Sequence, residues 1–241
     1  LVARPERSLM NVELTKTFYA EAAHHNPKGP EKAQRLHGHS FEITLVVEGE
    51  VSSDIGWLID YGDMAAAFKP LYEQIDHAVI NDIPDLDEPT VHGLRDWIFR
   101  KLKPELPCLK EVRVAIVGAN AFAPEMLGER PAEGLPGALR FTFEAAQSLA
   151  QLPETHKCHR MHGHSYRVEV AADAHEGLRE ALREVYDILD HRCLNDIPGL
   201  ESATCEIICR WLWERLEGHP AGVRAVIVQE TNSARCLYYG E

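Results

Sequence analysis

"RLHGHSF" at residues 35–41 and "RMHGHSY" at residues 160–166 carry one pattern twice: a basic residue, an aliphatic one, His-Gly-His-Ser, then an aromatic. The stretches around them repeat as well. "FYAEAAHHN" (18–26) answers "FTFEAAQSL" (141–149), "QIDHAVINDIPDL" (74–86) answers "ILDHRCLNDIPGL" (188–200), and "EVRVAIVG" (111–118) answers "GVRAVIVQ" (222–229). The motifs keep their order, so the chain reads as two homologous domains in tandem. The step from His37 to His162 exceeds the step from His77 to His191 by 11 residues, because the first copy carries "EVSSDIGWLIDYG" where the second is shorter. The expected boundaries are 1–120 for the first domain, 121–137 for a Pro- and Gly-rich linker and 138–241 for the second domain.

Each copy has the same sequence of elements. Alternating stretches such as Met10–Ala22 and Leu139–Ala146 have the period of a half-buried strand. The HGHS motif leads into a second strand, "SFEITLVVEG" or "SYRVEVAAD". Two helical stretches follow, "DMAAAFKPLYEQI" and "TVHGLRDWIFRKL" in copy one, "HEGLREALREVYDIL" and "ATCEIICRWLWERL" in copy two. A Val-rich strand comes next, and copy two ends in "ARCLYYGE". The order is ββααββ, an α+β arrangement with an antiparallel sheet and both helices on one face. Any fourth strand of copy one is expected to be eroded into the linker. Such a sheet has two open edges, so pairing of edges between domains into a barrel is expected.

Composition limits the function classes. The 241 residues suffice for two domains of about 120 each, and 45% hydrophobic with 26% charged residues is a globular profile. No apolar run approaches the roughly 20 residues of a membrane span. No signal-like start is visible, although a leader removed ahead of Leu1 stays open. The net charge of -13 argues against nucleic acid as a partner. Six cysteines, Cys108, Cys158, Cys193, Cys205, Cys209 and Cys236, lack the spacing of a disulfide scaffold, and a cytoplasmic location is expected.

Within a strand, residues i and i+2 face the same side, so His37 and His39 converge while Gly38 faces away and permits close approach of another backbone or a ligand. A third imidazole from the neighbouring strand, His24 or His25, completes a three-His set of the kind that holds catalytic Zn²⁺ with one position open. His24 is preferred because it aligns with Gln147. Asp76–His77 and Asp190–His191 recur in register, and a carboxylate beside an imidazole orients it and raises its basicity for proton transfer. Cys205 and Cys209, one helical turn apart, are expected in the core, as are Trp211 and Trp213. His92, His175 and His219 are expected at the surface.

"EAAH", "LHGHSF", "DH" and "NDIP" in this order resemble the 6-pyruvoyltetrahydropterin synthase and 6-carboxytetrahydropterin synthase family, once per half. "GWLIDYGDMAAAFKP" and "NDIPDL" are most similar to the 6-carboxytetrahydropterin branch, which feeds queuosine synthesis. The resemblance implies tandem tunnelling-fold domains, a Zn²⁺ cofactor, 7,8-dihydroneopterin triphosphate as substrate, and a homo-oligomer. Three chains, giving six domains in two stacked rings, would match the family's usual count; two or four chains are alternatives.

Carried over by position, the resemblance makes His24, His37 and His39 the metal ligands. It gives Cys158, Asp76, His77, Asp190 and His191 proton-transfer roles, with the Cys158 thiol activated by nearby positive charge. Glu230, followed by Thr231, becomes the anchor of the pterin. The losses are complementary. Copy one has Ala33 at the cysteine position and no acid near Ala119; copy two has Gln147 in place of a ligand, leaving His162 and His164, with His156 or His159 as possible supplements. A complete site would require the zinc of copy one to meet Cys158 and Glu230 of copy two. Three readings follow: a lyase with composite sites, a diverged protein that binds metal and pterin without the standard activity, and an assembly partner.

Overall fold

A computed structural model describes residues 10–51, 55–118, 122, 125–126 and 131–240. The first half runs β1 (Asn11–His24), β2 (His37–Glu50), α1 (Tyr61–Ile75), β3 (Ala78–Val79), α2 (Val91–Leu102) and β4 (Leu109–Ile116). A two-residue strand β5 (Glu125–Met126) precedes the second half. That half runs β6 (Ala138–Gln147), β7 (His162–Ala172), α3 (Leu178–Leu189), β8 (Arg192–Cys193), α4 (Cys205–Leu216), β9 (Val223–Thr231) and β10 (Ala234–Tyr238). The architecture is α+β, with two sheets ordered β3-β1-β2-β4 and β10-β9-β7-β6-β5, and β8 also pairing β6.

Each half has its own core. Phe41, Ile43 and Leu45 of β2 meet Met64, Phe68, Leu94 and Ile98 from α1 and α2. Phe143, Tyr166 and Val168 meet Leu182, Leu189, Ile208 and Leu212 from α3 and α4. Three of the four described α-helices start where a side chain caps them: Asp60 accepts from Gly62 N, Thr90 from Gly93 N and Thr204 from Ile207 N. Cys205 and Cys209 pack in the second core, Trp211 Nε1 donates to Pro198 O, and Trp213 packs against the same core.

Burial in β1 alternates from Asn11 to Tyr19 and then becomes nearly continuous through His24. The change marks where the strands of the other half cover the outer face of the sheet. Antiparallel pairing sets His24 opposite His37, and Gln147 opposite His162. The HGHS strands cross at their glycines. A Cβ added to Gly38 would lie 2.3 Å from Gly163 Cα, and one on Gly163 would lie 2.2 Å from Gly38 Cα. The close approach anticipated at Gly38 is therefore made by its own counterpart. Around this crossing Ser40 N donates to Ser165 Oγ (3.1 Å) and Ser165 N to Ser40 Oγ (3.2 Å), a local twofold relation between the halves.

Three expectations change. The sheets are not purely antiparallel: β3 joins β1, and β8 joins β6, as short parallel pairs. No ladder among the described residues joins the two sheets, so no barrel closes within this chain; β4 and β10 remain edge strands. The expected linker is not featureless either, since Glu125 and Met126 pair with Arg140 and Leu139 of β6. Ala119, expected to mark the missing acid, lies outside the described residues, as do 120–121, 123–124 and 127–130. No helix among the described residues is long and apolar enough to cross a membrane.

Candidate functional site

Two groups of three side chains among the described residues could hold a metal ion, one on each side of the glycine crossing. The first is His24, His37 and His39, all buried. Each ring's Nδ1 faces an oxygen: Pro89 O at 2.6 Å from His24, Arg35 O at 2.7 Å from His37 and Glu144 Oε2 at 2.7 Å from His39. An oxygen at Nδ1 fixes the proton there and leaves the Nε2 lone pair for a metal. His24 Nε2 is buried without a hydrogen-bond partner. Burial first, then the other imidazoles, pushes His24 down to about 4 and His37 down to about 2. His39 is pushed down to about 3 by burial and by His191. Three neutral rings with convergent lone pairs fit a divalent metal better than they fit water. His25 takes no part; its backbone N–H donates to Asn81 Oδ1.

The Asp-His pairs are exchanged between the halves. His191 of the second half lies on His37, with ring centroids 4.4 Å apart and planes 31° apart. His77 of the first half stacks on His162, with centroids 4.4 Å apart and planes 26° apart. Each imidazole sits at positive φ, 55° for His77 and 54° for His191, a conformation costing roughly 1–3 kcal/mol for such a residue. The backbone is held there by bonds from His77 N to Glu21 O (2.6 Å) and from His191 N to Glu144 O (2.7 Å). His191 Nδ1 donates to Asp190 Oδ2 at 2.9 Å, and His77 Nδ1 lies 2.9 Å from Asp76 Oδ1.

Both aspartates sit below the usual carboxylate range, Asp190 well below it. Burial alone would raise them, but the neighbouring imidazole and the amide of Glu21 or Glu144 outweigh it. Lysines complete the pairs: Lys32 Nζ is 3.0 Å from Asp190 Oδ2, and Lys157 Nζ is 3.6 Å from Asp76 Oδ2.

The second group is His77, Cys158 and His162, whose ligand atoms lie within 4.8 Å of one another. Gln147 does not join it, because its Nε2 donates to Glu230 Oε1 at 2.7 Å. The same carboxylate oxygen is 3.3 Å from His164 Nε2, while His164 Nδ1 meets Glu21 Oε2 at 2.8 Å. His156 Nδ1 accepts from Cys158 N, and His159 Nδ1 meets Leu152 O, so neither joins the cluster. Thr231, beside Glu230, ends β9.

Cys158 therefore belongs to the cluster of its own half rather than to the triad, and what crosses between halves is the Asp-His pair. The expected activation of the thiol is also corrected. Burial pushes the Cys158 thiol up, assisted by Glu230 and Asp76, and the opposing pull of Lys157 is outweighed.

Glu21 and Glu144 escaped the sequence reading. They link opposite halves, Glu21 to His164 and Glu144 to His39, and each also accepts from a serine hydroxyl: Ser40 Oγ to Glu21 Oε2 at 2.5 Å and Ser165 Oγ to Glu144 Oε2 at 2.6 Å. Their signal was present in the repeated "EAA" of 21–23 and 144–146. Lys32 and Lys157, also repeated in register, were missed for the same reason.

The chain matches the family described as 6-pyruvoyl tetrahydropterin synthase over residues 13–120 and again over 138–241. It belongs to that family, as a tandem duplication. It is 32% identical over 120 residues to a 6-carboxy-5,6,7,8-tetrahydropterin synthase of Synechocystis sp., which covers 46% of this chain and 93% of the relative. It is 30% identical over 97 residues to a dihydroneopterin monophosphate aldolase of Pyrococcus furiosus, covering 40% of this chain and 82% of the relative. A solved 6-pyruvoyl tetrahydropterin synthase of Caenorhabditis elegans aligns with 45% of this chain and 91% of its own, with a TM-score of 0.41 and 17% identity. The family match and the two sequence relatives support a pterin-processing lyase.

Proposed function

We propose that the chain is a zinc-dependent lyase acting on 7,8-dihydroneopterin triphosphate, of the 6-carboxytetrahydropterin synthase kind found in queuosine biosynthesis. The observation that carries this reading is the buried His24–His37–His39 triad with His191 of the other half lying on His37. When bound, zinc at the triad would supply a Lewis acid for the hydroxyls of the substrate side chain, acidifying the adjacent C–H.

The protein's own groups do the rest. Asp190 holds His191 through Nδ1, leaving Nε2 to take up or deliver the proton. His191 and the Glu144 amide keep Asp190 ionised and therefore acceptor-only, with Lys32 Nζ as a further cationic neighbour at 3.0 Å. At the second half-site the groups able to exchange a proton are the Cys158 thiol and the His77 imidazole, which lies beside Asp76. Glu230 and Thr231 are suited to the donor edge of a pterin, where a charge-assisted hydrogen bond contributes about 1.5–3 kcal/mol. We place the protein in the cytoplasm as a homo-oligomer, since β4 and β10 leave edges for pairing.

Ala33, where the family's cysteine would stand in the triad's own half, favours a second reading: a protein that binds metal and pterin with an altered reaction. Zinc content measured beside product formation from 7,8-dihydroneopterin triphosphate separates the two. Full zinc occupancy without turnover would overturn the lyase reading.

A further inference from the structure

The side chains of the second half-site are not those of a decayed copy of the first. Gln147 stands where a ligand would be and donates through Nε2 to Glu230 Oε1, which lies 3.3 Å from His164 Nε2 without hydrogen-bonding it. A three-His set is closed off there. His162 is left in a different setting, fully buried, with Nδ1 on Arg160 O at 2.8 Å and a buried Nε2 without a partner. The groups that face it come from two directions: the Cys158 thiol from the turn before β7, and His77 from the other half of the chain.

We propose that this half-site binds a second divalent, thiophilic metal ion through His77, Cys158 and His162. The chain then holds two centres of different donor chemistry, three nitrogens at His24–His37–His39 and two nitrogens with one sulfur across the domain boundary.

Several features fit that donor set. The ligand atoms already lie within 4.8 Å of one another. Bonds of about 2.0–2.3 Å to nitrogen and sulfur would bring them to roughly 3.3–3.8 Å in tetrahedral geometry, a small side-chain movement. His162 has Nδ1 on Arg160 O, which directs its Nε2 to the metal, and His77 has a carboxylate beside its ring, with Asp76 Oδ1 2.9 Å from Nδ1. The other centre cannot do the same, because Ala33 stands where a thiol would be needed.

Binding exchanges protons for metal in a balanced way. The Cys158 S–H bond breaks, its proton leaves to solvent, and the sulfur lone pair forms the metal bond with no change of oxidation state. With metal bound, Cys158 and His77 are ligands, so this binding and the proton exchange proposed for them above are alternatives, and the Asp190–His191 pair is the one free to move protons.

Cobalt(II) separates the centres, because only a thiolate ligand produces an intense near-ultraviolet sulfur-to-cobalt band. The full-length protein, stripped and titrated with Co²⁺, is expected to bind two ions per chain and to show that band. Cys158→Ser should lose the band and one equivalent, while His37→Ala should lose one equivalent and keep the band. His77→Asn, chosen because asparagine tolerates positive φ, should weaken the banded site at least tenfold and leave the other unchanged. A single equivalent with no band, or a band that survives Cys158→Ser, overturns the proposal. Either result leaves the triad standing, since its metal is read separately by zinc content, and returns Cys158 and His77 to the proton exchange proposed above, which turnover tests.

Discussion

Glu144, on β6 of the second half, accepts a hydrogen bond from Nδ1 of His39, on β2 of the first half, at 2.7 Å. The carboxylate is almost wholly buried, and its other polar contact through that oxygen is Ser165 Oγ at 2.6 Å. One domain therefore sets the tautomer and aim of a candidate ligand held by the other. Burial raises Glu144 to about 8 and lowers His39 to about 3, so metal-free the pair favours its neutral members. A cation beyond Nε2 favours the carboxylate form, with the proton kept on Nδ1. Glu144→Gln is expected to weaken metal binding at the triad about 10–100-fold, measured by competition with a chromophoric chelator. Unchanged affinity would sink the crossed support.

The exchange of Asp-His pairs predicts which variant affects which centre. Asp190→Asn should lower turnover about 10²–10⁴-fold with the zinc content of the triad unchanged, although Asp190 lies in the other domain. Asp76→Asn should leave the triad's metal content untouched and act at the second half-site. Equal effects of both variants on zinc at His24–His37–His39 would contradict the pairing.

Replacing His24 with glutamine copies into the first half what the second half has at Gln147. Two imidazoles are a poor zinc site, so His24→Gln is expected to lose most of its zinc at equimolar metal. The fold, read by circular dichroism, should be retained, because Gln147 shows that the position accepts the residue fully buried.

Gly38→Ala and Gly163→Ala should each destabilise the protein by about 1–3 kcal/mol or more, the usual range for overpacking. The new methyl would meet the partner glycine's backbone rather than a movable side chain. Denaturant titration of each variant gives the check, and a shift below about 0.5 kcal/mol would mean that the halves part more easily than their crossing implies.

Acid should destabilise the metal-free protein. His24 is held at about 4, His37 at about 2, and His39 and His162 at about 3, burial being the leading cause in each. Unfolded, each would titrate near 6.5. Above pH 7 neither state binds these protons, so the histidines add no slope there. Below about 6.5 the unfolded chain takes up protons that the folded chain refuses, and stability falls by up to about 1.4 kcal/mol per pH unit for each histidine. The melting temperature in chelator should drop steadily from pH 6.5 to 4, and bound metal should offset the loss near neutral pH.

Much of this was legible in the chain itself. The repeated HGHS, Asp-His and Val-rich stretches gave two ββααββ units, because strand and helix periods depend on local spacing. His24, His37 and His39 could be grouped for the same reason: i, i+2 geometry and one antiparallel register place them together. Glu21 and Glu144 were overlooked although they recur in register, since an isolated glutamate in a strand carries no local sign of what lies across an interface.

The amino-acid sequence determined the duplication, the elements and the ligand types, all properties of neighbours along one or two strands. Only the tertiary structure decided the assignments between halves. His191 goes to His37, His77 to His162, Glu144 to His39, and Cys158 stays in its own half. These follow from two strands crossing at Gly38 and Gly163, where the absence of side chains lets two backbones touch. That contact depends on packing between distant segments, which no local pattern encodes.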